Sequence, residues 1–367
     1  MRVGLLRLAL MMRVAGWFFR LAVGLLVLAL LLGGVVYLLT YHPKAVQAAE
    51  LACPDTTPAL KSGQRVRVMS WNVQYLAGRG YVFWYDLPDG DGPDTRPTKE
   101  SLARTLTEVV EVIEDEKPDV VMLQELDRGS DRTDDQDQLA LIKAELAGAY
   151  PCTAAAYYHK ATFVPHPKIM GSVGMSLGIL SRTRIEDSTR YQLPHICGDP
   201  VTVAFNFDRA VLAATLAVEG DKRLTVMETH LDAFAQGCDT MQRQVEAVES
   251  VLDDTRGPWV IGGDFNLLAT RQAYDRLGKA QRAYFDTETE LTPLLEGYAH
   301  FPTEQQVNSG DRAYLTHFPN DPDVGRPDRT IDYFFYSAGL RHESERVRQD
   351  RPKISDHFAM LTTVTAP

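Results

Sequence analysis

Leu21 to Tyr41 is a run of 21 residues without a charge, and beyond it the apolar positions recur with the periods of strands and helices. A run of that length spans a hydrocarbon core of about 30 Å. Downstream, Val66 to Trp71 reads as a short strand rich in β-branched residues. A helix over 100–116 follows, with Leu102, Leu106, Val109, Val110 and Ile113 on one face. Pro118 ends it, 119–123 reads as a buried strand, and 139–146 as another helix. Strands are predicted over 175–180, 209–218, 223–229, 259–262, 331–336 and 357–364. A helix over 239–252 puts Met241, Val245, Val248 and Leu252 on one side. This order implies α/β layers around a mixed or antiparallel sheet pair, with long loops at the strand ends. The acidic stretch 127–137 reads as a solvated loop. Residues 157–175, with His159, Lys160, His166 and Lys168, read as a loop that either faces substrate or is ordinary surface.

Charge refines the N-terminal picture. Arg2, Arg7, Arg13 and Arg20 precede the apolar run, and no acidic residue occurs before Glu50. That asymmetry predicts a short basic cytoplasmic segment (1–20), a transmembrane signal-anchor helix (21–41), a proline-containing tether (42–64) and a folded domain (65–367) on the far side, periplasmic or extracellular. A cleaved signal peptide is the competing reading, with Val46-Gln47-Ala48 as its cleavage site, but 21 apolar residues exceed the usual apolar core of such a segment. A buried core helix is the other; Arg20 and Lys44 frame the run as they would a membrane span. Formal net charge is −11, and the four arginines leave −15 for the remainder, a poor match for nucleic acid. The four cysteines, Cys53, Cys152, Cys197 and Cys238, include no CxxC pair. In an exported domain they permit two disulfides in any of three pairings, one of which would join loops near His230 through Cys197 and Cys238; four free thiols are the alternative.

The polar residues at the strand ends carry the chemistry. Asn72 ends the first strand, Glu125 the second, His230 another, and Asp264 with Asn266 the next; Asp332 lies in the strand after that, while Asp356 and His357 open the last. Each alone is an ordinary turn residue. Together they fit metal-assisted phosphate chemistry, which needs hard oxygen ligands, a base for water, and donors for charge on phosphate oxygens. Glu125 and Asp356 offer carboxylates and Asn72 and Asn266 amides, while His357 offers a base whose tautomer Asp332 would set.

Trp71-Asn72, Gln124-Glu125, Thr229-His230-Leu231, Gly263-Asp264-Phe265-Asn266, Ile331-Asp332-Tyr333 and Ser355-Asp356-His357 resemble, in order, the motif set of the endonuclease/exonuclease/phosphatase superfamily, over roughly residues 65–364. The resemblance implies a four-layer α/β sandwich, two mixed sheets packed face to face with helices outside. It implies Glu125 as principal Mg²⁺ (or Mn²⁺) ligand with Asn72 beside it, and Asp356 at the metal or phosphate. Asp264 would orient or deprotonate water, supported by Asn266. His357, paired with Asp332, would be base or phosphate contact, and His230 would contact phosphate or assist the leaving group. Arg182 and Arg209, in the weaker matches Gly178-Ile179-Leu180-Ser181-Arg182 and Asp208-Arg209-Ala210, would reach phosphate or serve a plain surface role.

Two departures bear on substrate. Where the abasic-site nuclease branch has a Tyr-Val-Pro-Asn-like stretch, this chain has Thr229-His230-Leu231-Asp232; where that branch has Asp two residues after the first Asn, Gln74 stands here. Both push the match towards the deoxyribonuclease, sphingomyelinase and lipid-processing branches. The expectation is a membrane-anchored phosphodiesterase acting on a phospholipid or sphingolipid headgroup. Tyr81, Val82, Phe83, Trp84 and Tyr85 then form an aromatic insertion that either rests at a membrane interface or packs on the domain. An extracytoplasmic nuclease is the alternative. An inositol or sugar phosphatase is weaker, since no obvious Lys/Arg cluster for several phosphates is visible, and a silent binding module weaker still.

Overall fold

The computed structural model describes residues 2–87, 89–233 and 237–367, with side chains from Met11 onward. The uncharged run lies within a long helix, α1 (Arg2–Leu39). Its stretch Met11–Leu39 has a mean hydropathy of 2.7 and is 0 % buried by the rest of the chain. It is therefore long and apolar enough to cross a membrane.

The strands form two seven-stranded sheets. One runs β1 (Val46–Ala48), β7 (Ile185–Gln192), β8 (Ala210–Val218), β9 (Lys222–His230), β10 (Trp259–Asp264), β12 (Asp332–Tyr336) and β11 (Ala299–Phe301). The other runs β13 (His342–Arg348), β14 (Ala359–Thr365), β3 (Arg65–Asn72), β4 (Val120–Asp127), β6 (Gly171–Ser181), β5 (Cys152–Val164) and β2 (Glu50–Ala52). Within each sheet the central pair is parallel, β9 with β10 and β3 with β4, and the flanking pairs are antiparallel. The sheets face each other over a core that includes Val68, Val120, Met122, Ile179, Leu212, Val226, Val260 and Phe334. Helix α2 (Lys99–Glu116) covers the outer face of the second sheet. Its apolar stripe Leu102, Val109, Val110 and Ile113 packs on Met69, Val121 and Leu123. Thr98 caps its start by accepting from the Ser101 amide, and Lys117 ends it in the left-handed conformation before Pro118. Helix α3 (Gln138–Glu145) joins that layer, and α5 (Thr240–Asp254) covers the first sheet with Met241, Val245, Val248 and Leu252. The expected four layers are all present.

Three expectations need correction, and one open alternative is decided. Residues 42–64 are no free tether: β1 and β2 become an edge strand of each sheet, Leu60 is fully buried, and Cys53 is bonded to Cys152 on β5. Short polar edge strands hide from periodicity because only one flank is paired. Residues 127–137 are not a solvated loop, since Asp127 and Thr133 are 0 % exposed and Arg132 is ion-paired to Asp127 at 2.8 Å. Residues 157–175 are no loop but most of a long β5–β6 hairpin whose turn is 165–170. In the aromatic insertion, Phe83 is buried with Tyr75 and flanked by Tyr81 and Tyr85 at ring separations of 5.2–5.7 Å. Those rings pack on the domain, and Trp84 turns instead onto His166 at 5.0 Å. The second disulfide is Cys197–Cys238, so of the pairings the sequence left open the one that joins two loops is the one formed.

Candidate active site

The strand directions decide where the polar residues meet. β3, β4, β9 and β10 all end at one rim, and β12 and β14, antiparallel to their neighbours, begin there. Asp264 lies opposite His230 on one side and Asp332 on the other, and Asn72 opposite Gln124. Two glycines allow the close packing beneath Asp264. A Cβ on Gly262 would come within 2.6 Å of Phe334 and 2.9 Å of Met122 on the facing sheet, and one on Gly263, whose φ is +154°, would strike the Thr229 carbonyl. Glu125 sits in a bulge of β4, between Leu123 and Leu126, at φ 57°. A non-glycine residue held there is strained, and the bulge re-aims its carboxylate into the cleft.

Asn72 is the hub. Its Nδ2 donates to Glu125 Oε1 at 3.0 Å and to Asp264 Oδ2 at 3.1 Å, so one amide ties a carboxylate from each sheet. Its own backbone is held by Ser355 Oγ, and Trp71 Nε1 donates to the His357 carbonyl, pinning the 355–357 loop to the end of β3. His357 Nδ1 faces Asp332 at 2.9 Å, and its Nε2 lies 3.4 Å from Asp264 Oδ2. His230 Nε2 lies 3.4 Å from the same Asp264 oxygen and 3.9 Å from Glu125 Oε1. With Nε2 facing two carboxylates, His230 carries its proton there and accepts at Nδ1 from Tyr158 Oη, 3.4 Å away. Asn266, at φ 52°, donates its side-chain amide to the Leu231 carbonyl and its backbone amide to Asp264 Oδ1.

Burial and charge set the protonation states. Burial alone opposes charge on His357, but the carboxylates of Asp332, Asp264 and Asp356 outweigh it and hold its pKa well above the ordinary value. His230 goes the other way: burial, then the charges of Arg209 and His357, push it well below. Burial raises Asp264 to about 7, against the opposing pull of His357. Glu125 is raised by burial and by Asp356. The rim thus pairs an imidazolium with a neutral imidazole, and a carboxylate poised near neutrality stands between them.

The donor set fits a hard cation. Asn72 engages one oxygen of Glu125, and Oε2 has no protein donor among the described residues. Asp264 and Asp356 add carboxylates on the same cleft, and oxygen-rich sites with few neutralising cations suit Mg²⁺ or Mn²⁺. Asp264, Asp332 and His357 also lie close enough to share an ion. However, the Nδ1–Asp332 hydrogen bond accounts for that grouping as a positioned histidine. Cys197, Cys238 and Asp239 form a further grouping, excluded by the disulfide.

These residues open on a cleft of about 480 Å³ lined by Glu125, His230, Asp264, Asn266, Asp356 and His357. Arg209 is there too, buried, its Nε on Asp232 at 3.0 Å and its Nη1 without a partner among the described residues. Arg182 is not: it donates to the Pro118 carbonyl before the start of β4, at the opposite end of the sheet, so it contacts no substrate in this cleft. Sequence reasoning missed His317, whose Nε2 is 3.8 Å from Asp356 and whose ring is 4.5 Å from His357; burial and His357 lower its pKa to about 4. It missed Asn320, which donates to Asp356 at 3.3 Å, and Tyr158. His317 and Asn320 lie on a loop with no strand to flag them. Arg96, Arg132 and Arg329 also line the cleft, a cationic group invisible in the sequence. Each is paired with its own aspartate, Asp134, Asp127 and Asp328, at 2.7–2.9 Å.

Solved structures share this fold. An endonuclease/exonuclease/phosphatase from Beutenbergia cavernae is 23 % identical at a TM-score of 0.56, the alignment covering 83 % of this chain and 72 % of that one. The human Nocturnin catalytic domain, solved with a bound sulfate anion, is 16 % identical at 0.51, covering 87 % and 97 %. A family protein from Leptotrichia buccalis is 15 % identical at 0.52, covering 82 % and 99 %. Comparison with curated protein sequences gives no match. The family model for the Endonuclease/Exonuclease/phosphatase family matches residues 69–357, which begin just before Asn72 and end on His357. The chain belongs to that family, whose members are typically hydrolases of phosphate esters and generally use divalent metal ions.

Proposed function

We propose that this protein is a membrane-anchored, Mg²⁺-dependent phosphodiesterase acting on a phospholipid or sphingolipid headgroup, its domain on the extracytoplasmic side. The observation that carries the phosphate-ester chemistry is the Asn72 hub, which draws Glu125 and Asp264 together between two histidines of opposite protonation. Glu125 and Asn72, with Asp356, would hold the cation. When bound it would neutralise charge on the phosphoryl oxygens and orient the ester. Asp264, raised to about 7, is the group suited to orient water and take its proton at neutral pH. The His357 imidazolium, kept charged by Asp332, stabilises negative charge developing on the phosphoryl group. His230, with Nε2–H towards the cleft, donates to phosphate or the leaving oxygen. Asn266 keeps Asp264 in place through its backbone amide.

Three observations favour a lipid diester. The helix α1 supplies an anchor, and its arginine-flanked N-terminal side favours a cytoplasmic N-terminus. The cleft walls carry Trp84, Ile169, Val173, Met175, Phe207 and Phe285, apolar surface that suits a substrate with greasy parts. The cleft arginines are already neutralised by aspartates, which disfavours a substrate with several phosphates or a nucleic-acid backbone. The test is a substrate panel on the full chain in detergent with Mg²⁺: labelled phospholipids, sphingomyelin, plasmid DNA and an inositol polyphosphate. Turnover of a lipid diester that stops with chelator is the expected result. Nicking of DNA with every lipid inert would replace this reading by the nuclease, and turnover of nothing would leave a silent binding module.

A further inference from the structure

The last turn of α1 is locked to the domain with no slack. Thr40 forms an antiparallel bridge with Ala161 on β5, and Thr162 Oγ1 donates to the Leu39 carbonyl at 3.4 Å. Tyr41 packs edge-on against Tyr157 at 6.4 Å, and His42 folds back, its ring stacked on Tyr37 at 4.1 Å and its Nε2 2.9 Å from the Tyr37 carbonyl. The direction of this junction matters. Past Leu39 the chain leaves the apolar helix for the domain, so an antiparallel partner runs back towards the helix. Beyond Ala161, β5 therefore descends alongside the end of α1, at about 3.3 Å per residue. Residues 162–164 and the turn 165–170 reach a level beside the last turns of the apolar span.

The side chains at that tip suit such a place. Phe163 is 37 % and Met170 60 % exposed, unusual for apolar residues of this domain. Lys168 stands among them, the mixture of apolar and basic groups favoured at a lipid interface. The turn is ordered, with the amides of Ile169 and Met170 both donating to the His166 carbonyl. The same turn is one wall of the cleft: Lys168 and Ile169 line it, and Trp84 stacks on His166.

We infer that the tip of the β5–β6 hairpin inserts into the leaflet from which α1 emerges, so that the cleft opens onto the headgroup layer of the protein's own membrane. This rests on the reading of α1 as a retained span. It also deepens the lipid proposal, because the substrate would be taken sideways from that layer without leaving it.

The test uses the full chain in nanodiscs of phosphatidylcholine and phosphatidylserine, with the photoreactive residue p-benzoylphenylalanine replacing Phe163, Met170 or, as the control, Leu51. Leu51 is an exposed apolar residue opposite Ala154, about 20 Å back along β5 from the helix junction. Lipid adducts at least tenfold more abundant from positions 163 and 170 than from 51 are expected. Equal labelling, or none at the tip, overturns the inference. A chain that does not stay with the nanodisc overturns the anchor and the docking together. The pair Phe163→Asp with Met170→Asp is then assayed on two substrates in the same discs. Turnover of soluble bis-p-nitrophenyl phosphate is expected unchanged, and turnover of bilayer lipid down at least tenfold. Parallel loss or retention of both activities counts against the cleft mouth facing the bilayer. Inert lipid with the parent chain but strong tip adducts would remove the lipid-substrate reading and leave the docking standing.

Discussion

Asp264 is contacted from three sides, by Asn72, His230 and His357, and this explains why substitutions around it should act on chemistry more than on folding. Glu125→Gln, Asp264→Asn and His357→Ala are each expected to lower kcat/KM for a soluble phosphodiester by three orders of magnitude or more. That corresponds to on the order of 4 kcal/mol, the scale of removing a preorganised electrostatic partner. Far-UV circular dichroism and thermal melting should show the fold retained; near-normal turnover in two of the three would mean the site lies elsewhere. Asp332→Asn tests the tautomer and charge of His357. Removing the carboxylate takes away the partner that raises the imidazole pKa, so the pKa falls. Because the charged imidazole is the working form, the alkaline limb of the pH–rate profile should move to lower pH, with kcat reduced about 100-fold. An unmoved limb would assign that ionisation to another group.

Between the sheets lies a polar contact that serves no chemistry. Glu228 on β9 accepts from Gln124 Nε2 on β4 at 3.0 Å, fully buried, and burial lifts its pKa well above the carboxylate range. The sign follows from linkage. Unfolded, the carboxyl titrates near 4.3, so folding takes up a proton at higher pH, and stability falls by about 1.4 kcal/mol per pH unit until the folded-state pKa is reached. Glu228→Gln cannot ionise, so its melting temperature relative to the parent should rise steadily from pH 5 to pH 8. A pH-independent difference would show that Glu228 is not neutral in the fold. The strands around it explain what could be read from the chain. β3, β4, β6, β8, β9, β10, β12 and β14 were legible because both flanks are paired and their residues are apolar. β13, with the sequence HESERVR, and the short β1 and β2 were not, because an edge strand needs no apolar period. Gly262 could be read only as the end of a strand; the need for glycine there comes from Phe334 beside it in the same sheet and Met122 on the facing sheet. Gly262→Ala should cost about 1–3 kcal/mol in urea unfolding through overpacking.

For the whole molecule, the two disulfides tie the start of the domain to β5 and one cleft loop to another, and reduction tests their weight. Cys53–Cys152 closes 99 residues and Cys197–Cys238 closes 41. Loops of that size predict a loss of roughly 2–5 kcal/mol on removing a native bridge. Melting with and without dithiothreitol should show a clear drop, and an unchanged midpoint would mean the bridges add nothing to stability. Chelation should abolish turnover, with recovery on adding Mg²⁺.

The order of motifs along the chain, the alternation of strands and helices and the uncharged N-terminal run are local properties, and the sequence alone determined them. Asn72, Glu125, His230, Asp264, Asp332 and His357 could be picked out because each stands where an apolar strand stops or starts. Which residues meet was decided in three dimensions, by strand direction. Parallel central pairs flanked by antiparallel neighbours put four strand ends and two strand beginnings at one rim, and left Arg182 at the other. His317 and Asn320, like the aspartate-paired arginines, enter the cleft by long-range contacts, and Tyr158 reaches His230 the same way. Such contacts leave no periodic trace, because nothing in a residue's neighbours along the chain records what will face it after folding.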